Sequence, residues 1–91
     1  MNPVKVSFSS FFKKALKYLL KKNPGKRKIF EEKSDLFLKD PYHSQLETHK
    51  LRGKLKGYLS FTVEYDLRVI FYFAGNTEIV FVDIGAHDEV Y

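Results

Sequence analysis

Between Tyr58 and Ile84 apolar and polar residues alternate in three consecutive runs, joined by links long enough only for turns. A period of two predicts strands, because successive side chains of an extended backbone point to opposite faces. In the first run, Tyr58–Glu64, Leu59, Phe61 and Val63 share one side, and Tyr58, Ser60, Thr62 and Glu64 the other. In the second, Leu67–Ala74, Leu67, Val69, Phe71 and Phe73 oppose Arg68, Ile70 and Tyr72. Gly75-Asn76 is a hairpin signal. In the third, Glu78–Ile84, Val80, Val82 and Ile84 oppose Ile79, Phe81 and Asp83. Short links make neighbouring strands antiparallel, so the three runs form a meander whose apolar side must be covered.

The first half of the chain supplies the cover. Pro3–Phe8 alternates and predicts a short N-terminal strand. Ser9 or Ser10 can cap a following helix. Phe12, Ala15, Leu16, Leu19 and Leu20 recur at helical spacing, and Lys13, Lys14, Lys17, Lys21 and Lys22 fill the complementary positions. Asn23-Pro24-Gly25 breaks that helix. A second pattern runs from about Lys26 to Lys39, with Ile29, Phe30, Lys33, Leu36 and Phe37 on one face and Glu31, Glu32 and Asp35 outward, until Asp40-Pro41 ends it. Tyr42 to Thr48 shows no period and reads as a loop with room for a short helical turn. The order is strand, helix, helix, strand, strand, strand. That is one α+β domain over residues 1–91, a helical hairpin packed on an antiparallel sheet.

Charge is divided along the chain. The net is +5, but residues 1–56 hold fifteen Lys/Arg against five Asp/Glu, and residues 57–91 one Arg against six Asp/Glu. A basic segment that dense favours a polyanion or an acidic protein partner. There is no cysteine, hence neither a disulfide framework nor a thiolate metal site. No apolar run approaches a membrane span of roughly 18 residues, and the N-terminus lacks a secretory apolar region, so a cytoplasmic protein is expected. P-loop, dinucleotide-binding, nucleophile-elbow and HExxH motifs are all missing. His43, His49 and His87 are too scattered for a metal motif, and no cofactor is expected.

Residues capable of chemistry gather around the stretch HKLRGKLKGYLSFTVEYDLRVIFY, from His49 to Tyr72. His49 precedes the strand carrying Ser60 and Thr62, Asp66 lies in the turn before Arg68, and His87 and Tyr91 follow the last strand. Histidine can move protons near neutrality, and arginine grips a phosphate through paired donors. Aspartate can orient a histidine, and aromatics stack on unpaired bases. These parts suffice to cleave RNA through its own 2′-hydroxyl: a base, a cation for the charged phosphorane, and an acid for the departing 5′-oxygen. The residues alone leave two readings open, a nuclease and a non-catalytic basic binding module, and favour the second. Asp66 can equally be a plain turn residue, Arg68 a strand cation paired with Glu64 or Asp83, and Tyr91 a packing anchor. Gly53 and Gly57 read as loop geometry.

The segments HKLRGKLKGY, EYDLRVIFYF and IVFVDIGAHDEVY, in this order and spacing, resemble the RelE/ParE toxin superfamily, and within it the RelE/YafQ-like mRNA interferases. The resemblance spans nearly the whole chain. It implies a RelE/ParE-like fold and the toxin of a type II toxin–antitoxin pair, neutralised by a separate antitoxin. It also implies metal-independent cleavage of mRNA, usually on the translating ribosome.

Carried onto this chain, the YafQ-type pattern places functional side chains at His49, Asp66, His87 and Tyr91, and the RelE-type pattern supports Arg68 and Tyr91. His49 and His87 would move protons, Asp66 orient one of them, Arg68 stabilise the phosphate, and Tyr91 touch a base or the reacting phosphate. Lys50, Arg52, Lys54 and Lys56, with Lys13 and Lys17 of the first helix, would meet mRNA and ribosomal RNA. The chain departs from the patterns as well. Thr62 stands where YafQ-type toxins carry a second strand histidine, Leu67 where they carry tryptophan, and Asp83 where they carry arginine. Leu59 and Phe61 replace RelE-type lysines. Phosphate clamping would then fall to Arg68, Lys54 or Lys56. An acidic antitoxin segment is the natural complement of the basic half. A ParE-like inhibitor of DNA gyrase is the alternative, which the ordered histidines and terminal EVY disfavour. A nucleic-acid-binding regulator without toxicity is the third.

Overall fold

The computed structural model describes residues 5–86. Its elements are β1 (Lys5–Phe8), α1 (Ser10–Lys22), α2 (Lys26–Lys39), β2 (His49–Lys50), β3 (Leu59–Glu64), β4 (Leu67–Phe73) and β5 (Glu78–Gly85). They form one five-stranded sheet in the order β1-β5-β4-β3-β2, with α1 lying over β5 and α2 over β3. The two-layer α+β architecture and the antiparallel β3–β4–β5 meander are those expected from the periodicity. The sheet as a whole is mixed, however, because β1 runs parallel to β5 with Val6 opposite Ile79 and Phe8 opposite Phe81. No tight turn links these two strands, so nothing forces the antiparallel direction.

The expected break signals coincide with helix ends. Ser9 is the N-cap of α1: the Phe12 amide donates to its Oγ at 3.0 Å. The Ser9 hydroxyl also donates to the Val82 carbonyl at 3.3 Å, and its amide to the Phe81 carbonyl at 3.0 Å. One serine thereby starts a helix and ties it to β5. Lys21 and Lys22 occupy the last turn, where cations suit the helix dipole.

Phenylalanines build the core. Phe37 of α2 stacks on Phe61 of β3 at 4.4 Å and meets Phe71 of β4 edge-on at 4.7 Å. Phe12 of α1 meets Phe81 of β5 edge-on at 5.5 Å. All five rings are buried, each removal from water being worth about 1.5–3 kcal/mol.

Two bulges correct the expected faces. The β3–β4 register shifts between Thr62 and Glu64, and Glu64 turns to the helix layer, where it pairs with Lys26 of α2. On β5 the pairing skips Val82: Phe71 faces Phe81 while Ile70 faces Asp83. Ile79, Phe81 and Ile84 are therefore the buried set, not Val80, Val82 and Ile84. One extra residue reverses the alternation beyond it, and a strict period of two cannot register that.

The 42–48 segment, expected to be a loop with room for a short helical turn, holds a 3-10 turn at Ser44–Leu46 with Leu46 wholly buried. The short β2 begins directly after it.

Candidate active site on the open sheet face

Residues opposite one another in neighbouring strands share a face. His49 on β2 faces Ser60 on β3, Ser60 faces Ile70 on β4, and Ile70 faces Asp83 on β5. Thr62 faces Arg68. These six side chains therefore belong to the sheet face away from the helices. Ser60, Thr62 and Ile70 are buried there, forming a close-packed floor, and Arg68 is half-buried beside them. Tyr58 and Tyr72, edge to face at 5.8 Å, border it.

A directed hydrogen-bond chain crosses this floor. Arg68 Nη1 donates to Thr62 Oγ1 at 2.9 Å, and that hydroxyl donates to Glu47 Oε1 at 3.2 Å. The guanidinium is thus anchored through one nitrogen, while its Nε is buried without an acceptor among the described residues. A buried unpaired donor costs about 1–3 kcal/mol. His49 is fixed from its other side. Its Nδ1 lies 2.8 Å from the Glu47 carbonyl, which can only accept. Nδ1 must carry the proton, and in the neutral ring Nε2 is then the basic nitrogen.

The other expected site residues are distributed unevenly. Asp66 is exposed in the β3–β4 turn and forms no hydrogen bond or ion pair among the described residues. His49 joins the sheet at Ser60, four residues before Glu64, so Asp66 lies more than roughly 13 Å farther along, at about 3.3 Å per residue. The Glu47 carbonyl, rather than Asp66, orients His49. Glu64 is engaged with Lys26, so Arg68 does not draw its orientation from that carboxylate. Asp83 accepts a hydrogen bond from the Ile84 amide at 2.8 Å.

Lys50, Arg52, Lys54 and Lys56 are exposed on the loop that leaves β2, shaped by left-handed Gly53 (φ 67°) and Gly57 (φ 98°). Lys50, Arg52 and Lys56 rim a cavity of about 440 Å³ floored by Leu51, Tyr58 and Leu59. Lys13 and Lys17 are exposed on α1, in the layer opposite His49 and Arg68. His87 and Tyr91 lie outside the described residues. Among the described residues no His/Cys/Asp/Glu cluster could hold a metal ion.

Sequence reasoning missed Glu47. The available signal was its isolation: it is the one acidic residue between Asp40 and Glu64, amid basic neighbours.

Residues 4–91 match the family model described as the bacterial toxin of type II toxin-antitoxin system, YafQ. No curated protein sequence matches the chain. Among solved structures, YafQ from E. coli strain BL21(DE3) superposes with a TM-score of 0.80 at 21% identity, covering 97% of this chain and 98% of that one. A chain of the E. coli DinJ-YafQ toxin-antitoxin complex gives 0.79 at 21%, covering 99% of each. The YoeB/ParE toxin from Agrobacterium tumefaciens gives 0.77 at 12%, covering 92% of this chain and 99% of that one.

Proposed function

The chain belongs to the YafQ family of bacterial toxins of type II toxin–antitoxin systems, and from that premise we propose that it is an endoribonuclease cutting messenger RNA on the ribosome. The observation that carries the reading is the juxtaposition of His49 and Arg68 on one sheet face, His49 held through Nδ1 with Nε2 left as its basic nitrogen and Arg68 held through Nη1. They stand two strands and two residues apart, a Cα separation on the order of 12 Å, which leaves room for a phosphodiester between two reaching side chains.

In this scheme the RNA backbone crosses the open face. His49 Nε2 takes the proton of a 2′-hydroxyl, and the 2′-oxygen attacks the adjacent phosphorus. Negative charge builds on the phosphorane oxygens, which the Arg68 guanidinium stabilises, with Lys54 or Lys56 adding positive field. The 5′-oxygen leaves with a proton from a general acid, giving a 2′,3′-cyclic phosphate and a 5′-hydroxyl. The scheme gives that acid to His87 and contact with a base or the reacting phosphate to Tyr91, two positions where the YafQ-type pattern carries functional side chains. Asp66, distant from His49, is left the orientation of His87. DNA has no 2′-hydroxyl and is not a substrate of this chemistry.

Lys50, Arg52, Lys54 and Lys56 border the active face and are the primary RNA contacts, and the cavity they rim admits a flanking base. Lys13 and Lys17, on the far layer, would meet ribosomal RNA or an acidic antitoxin segment. The DinJ-YafQ complex pairs a relative with its antitoxin, and a partner of that kind would silence this chain. No helix among the described residues is long and apolar enough to cross a membrane, consistent with work at the ribosome in the cytoplasm.

Mapping transcript 5′ ends after induction tests the scheme. The wild-type chain produces new 5′-hydroxyl ends and stops growth, and H49A and R68A do neither. Stalled ribosomes concentrate the cuts at occupied codons. Intact transcripts with damaged DNA would transfer the chain to the gyrase-inhibiting branch.

A further inference from the structure

Glu47 touches both halves of the site by different atoms. Its backbone carbonyl accepts from His49 Nδ1 at 2.8 Å, and its carboxylate accepts from Thr62 Oγ1 at 3.2 Å, which in turn accepts from Arg68. It does so from a left-handed backbone (φ 49°), the sole non-glycine of that kind among the described residues. A residue with a side chain adopts this conformation rarely, mostly where its surroundings impose it. Here it closes the Ser44–Leu46 turn, with the Glu47 amide donating to the Ser44 carbonyl at 3.3 Å. An exposed carboxylate beside a surface meant for a polyanion is also electrostatically adverse unless it has a task.

We propose that Glu47 is a positioning residue that sets the proton arrangement of His49 and the orientation of Arg68 together. The inference rests on the ribonuclease reading and adds a residue to it. The carbonyl forces the proton onto Nδ1 and leaves Nε2 as the base. The carboxylate, which can only accept, takes the one hydroxyl proton of Thr62. The threonine lone pair must then face Arg68, so the guanidinium is held by Nη1 in one orientation. The left-handed turn is what lets one residue reach in both directions.

The two functions can be separated. E47Q keeps an acceptor oxygen. E47G keeps the left-handed backbone and the carbonyl but has no carboxylate. E47V disfavours the backbone itself, because a β-branched side chain resists positive φ. Cleavage of a reporter mRNA on translating ribosomes is measured beside ¹⁵N spectra of the His49 ring and the Arg68 Nε–H.

E47Q is expected within about threefold of wild type, since the oxygen remains. E47G is expected to lose roughly tenfold to a hundredfold in kcat with KM little changed, the range for a displaced reacting group. Its Arg68 signal shifts while the His49 tautomer stays. E47V loses at least as much and shows mixed His49 tautomers. T62V, which keeps a strand-forming shape without the hydroxyl, reproduces E47G and tests the relay without altering Glu47.

Wild-type cleavage by E47G, or a wild-type His49 tautomer in E47V, overturns the proposal. A wild-type chain that cuts no faster than H49A instead sinks the ribonuclease reading, and the ring spectra of E47V still decide whether Glu47 governs His49.

Discussion

The two faces of the sheet solve different problems with the same strands. The covered face carries Phe61, Val69, Phe71, Phe81 and Ile84, which pack against Phe12, Phe30 and Phe37. Apolar burial is roughly additive and has no direction, so many near-equivalent arrangements of that face would fold. The open face carries Ser60, Thr62 and Arg68, and a chain of polar contacts there runs one way, from Arg68 through Thr62 to Glu47. A chain of donors and acceptors has few equivalents, because each member fixes the next. Stability is spread over the first face and chemistry concentrated on the second. Substitutions on the two should therefore separate folding from activity.

The largest expected effect is on the covered face. Phe61→Ala removes a ring that Phe37 stacks upon at 4.4 Å, and should destabilise the domain by about 3–5 kcal/mol in urea unfolding. A loss below about 1 kcal/mol would mean that the aromatic cluster is not the fold's main support. Arg68→Ala should do the converse. Cleavage and toxicity should fall by about 10²–10³-fold, in the range for losing one donor to a developing negative charge. Stability should move by less than about 1 kcal/mol, since the change removes one hydrogen bond and one unpaired buried donor together. Arg68→Lys keeps the charge but not the planar fork, and should recover little activity. A strongly destabilised Arg68→Ala with intact specific activity would break the division between the faces.

The two faces also differed in how much of them the sequence revealed. Helix ends were legible because their signals are local and chemical: Ser9 can accept from Phe12, and Pro24 and Pro41 cannot continue a helix. The meander was legible because burial on one side imposes alternation on every second residue. The bulges at Thr62–Glu64 and Val82 were not, since an inserted residue leaves the composition of a strand unchanged. Two-residue β2 was too short to show a period at all. On the open face, Arg68 and His49 were singled out by their chemistry and supported by resemblance to a family, while the residue that links them was missed. Glu47 contacts His49 with a main-chain oxygen and reaches Thr62 by virtue of a positive φ, and neither property is written in a side-chain type.

A smaller effect tests how firmly the covered layer is tied to the sheet. Ser9→Ala should cost about 1 kcal/mol, because the hydroxyl both accepts from Phe12 and donates to Val82. Ser9→Asp, which can cap but not donate to the Val82 carbonyl, should recover part of that loss. Full recovery would show that only the cap matters, and that the β5 contact is incidental.

The smallest expected effect discriminates best between the two faces as RNA surfaces. Lys54 and Lys56 are exposed on the loop leaving β2, and Lys13 and Lys17 on the opposite layer, so all four are alike in charge and accessibility and differ in position. Each lysine that neutralises a phosphate of single-stranded RNA contributes about 0.7 to the slope of log affinity against log salt. The double change Lys54→Ala, Lys56→Ala should therefore lower that slope by about 1.4 for a short single-stranded RNA, leaving the unfolding midpoint unchanged. The double change Lys13→Ala, Lys17→Ala should leave it where it was, because a short strand on the open face does not reach α1. Equal losses from both pairs would mean that RNA wraps the sheet edge, and that the basic half of the chain acts as one surface rather than two.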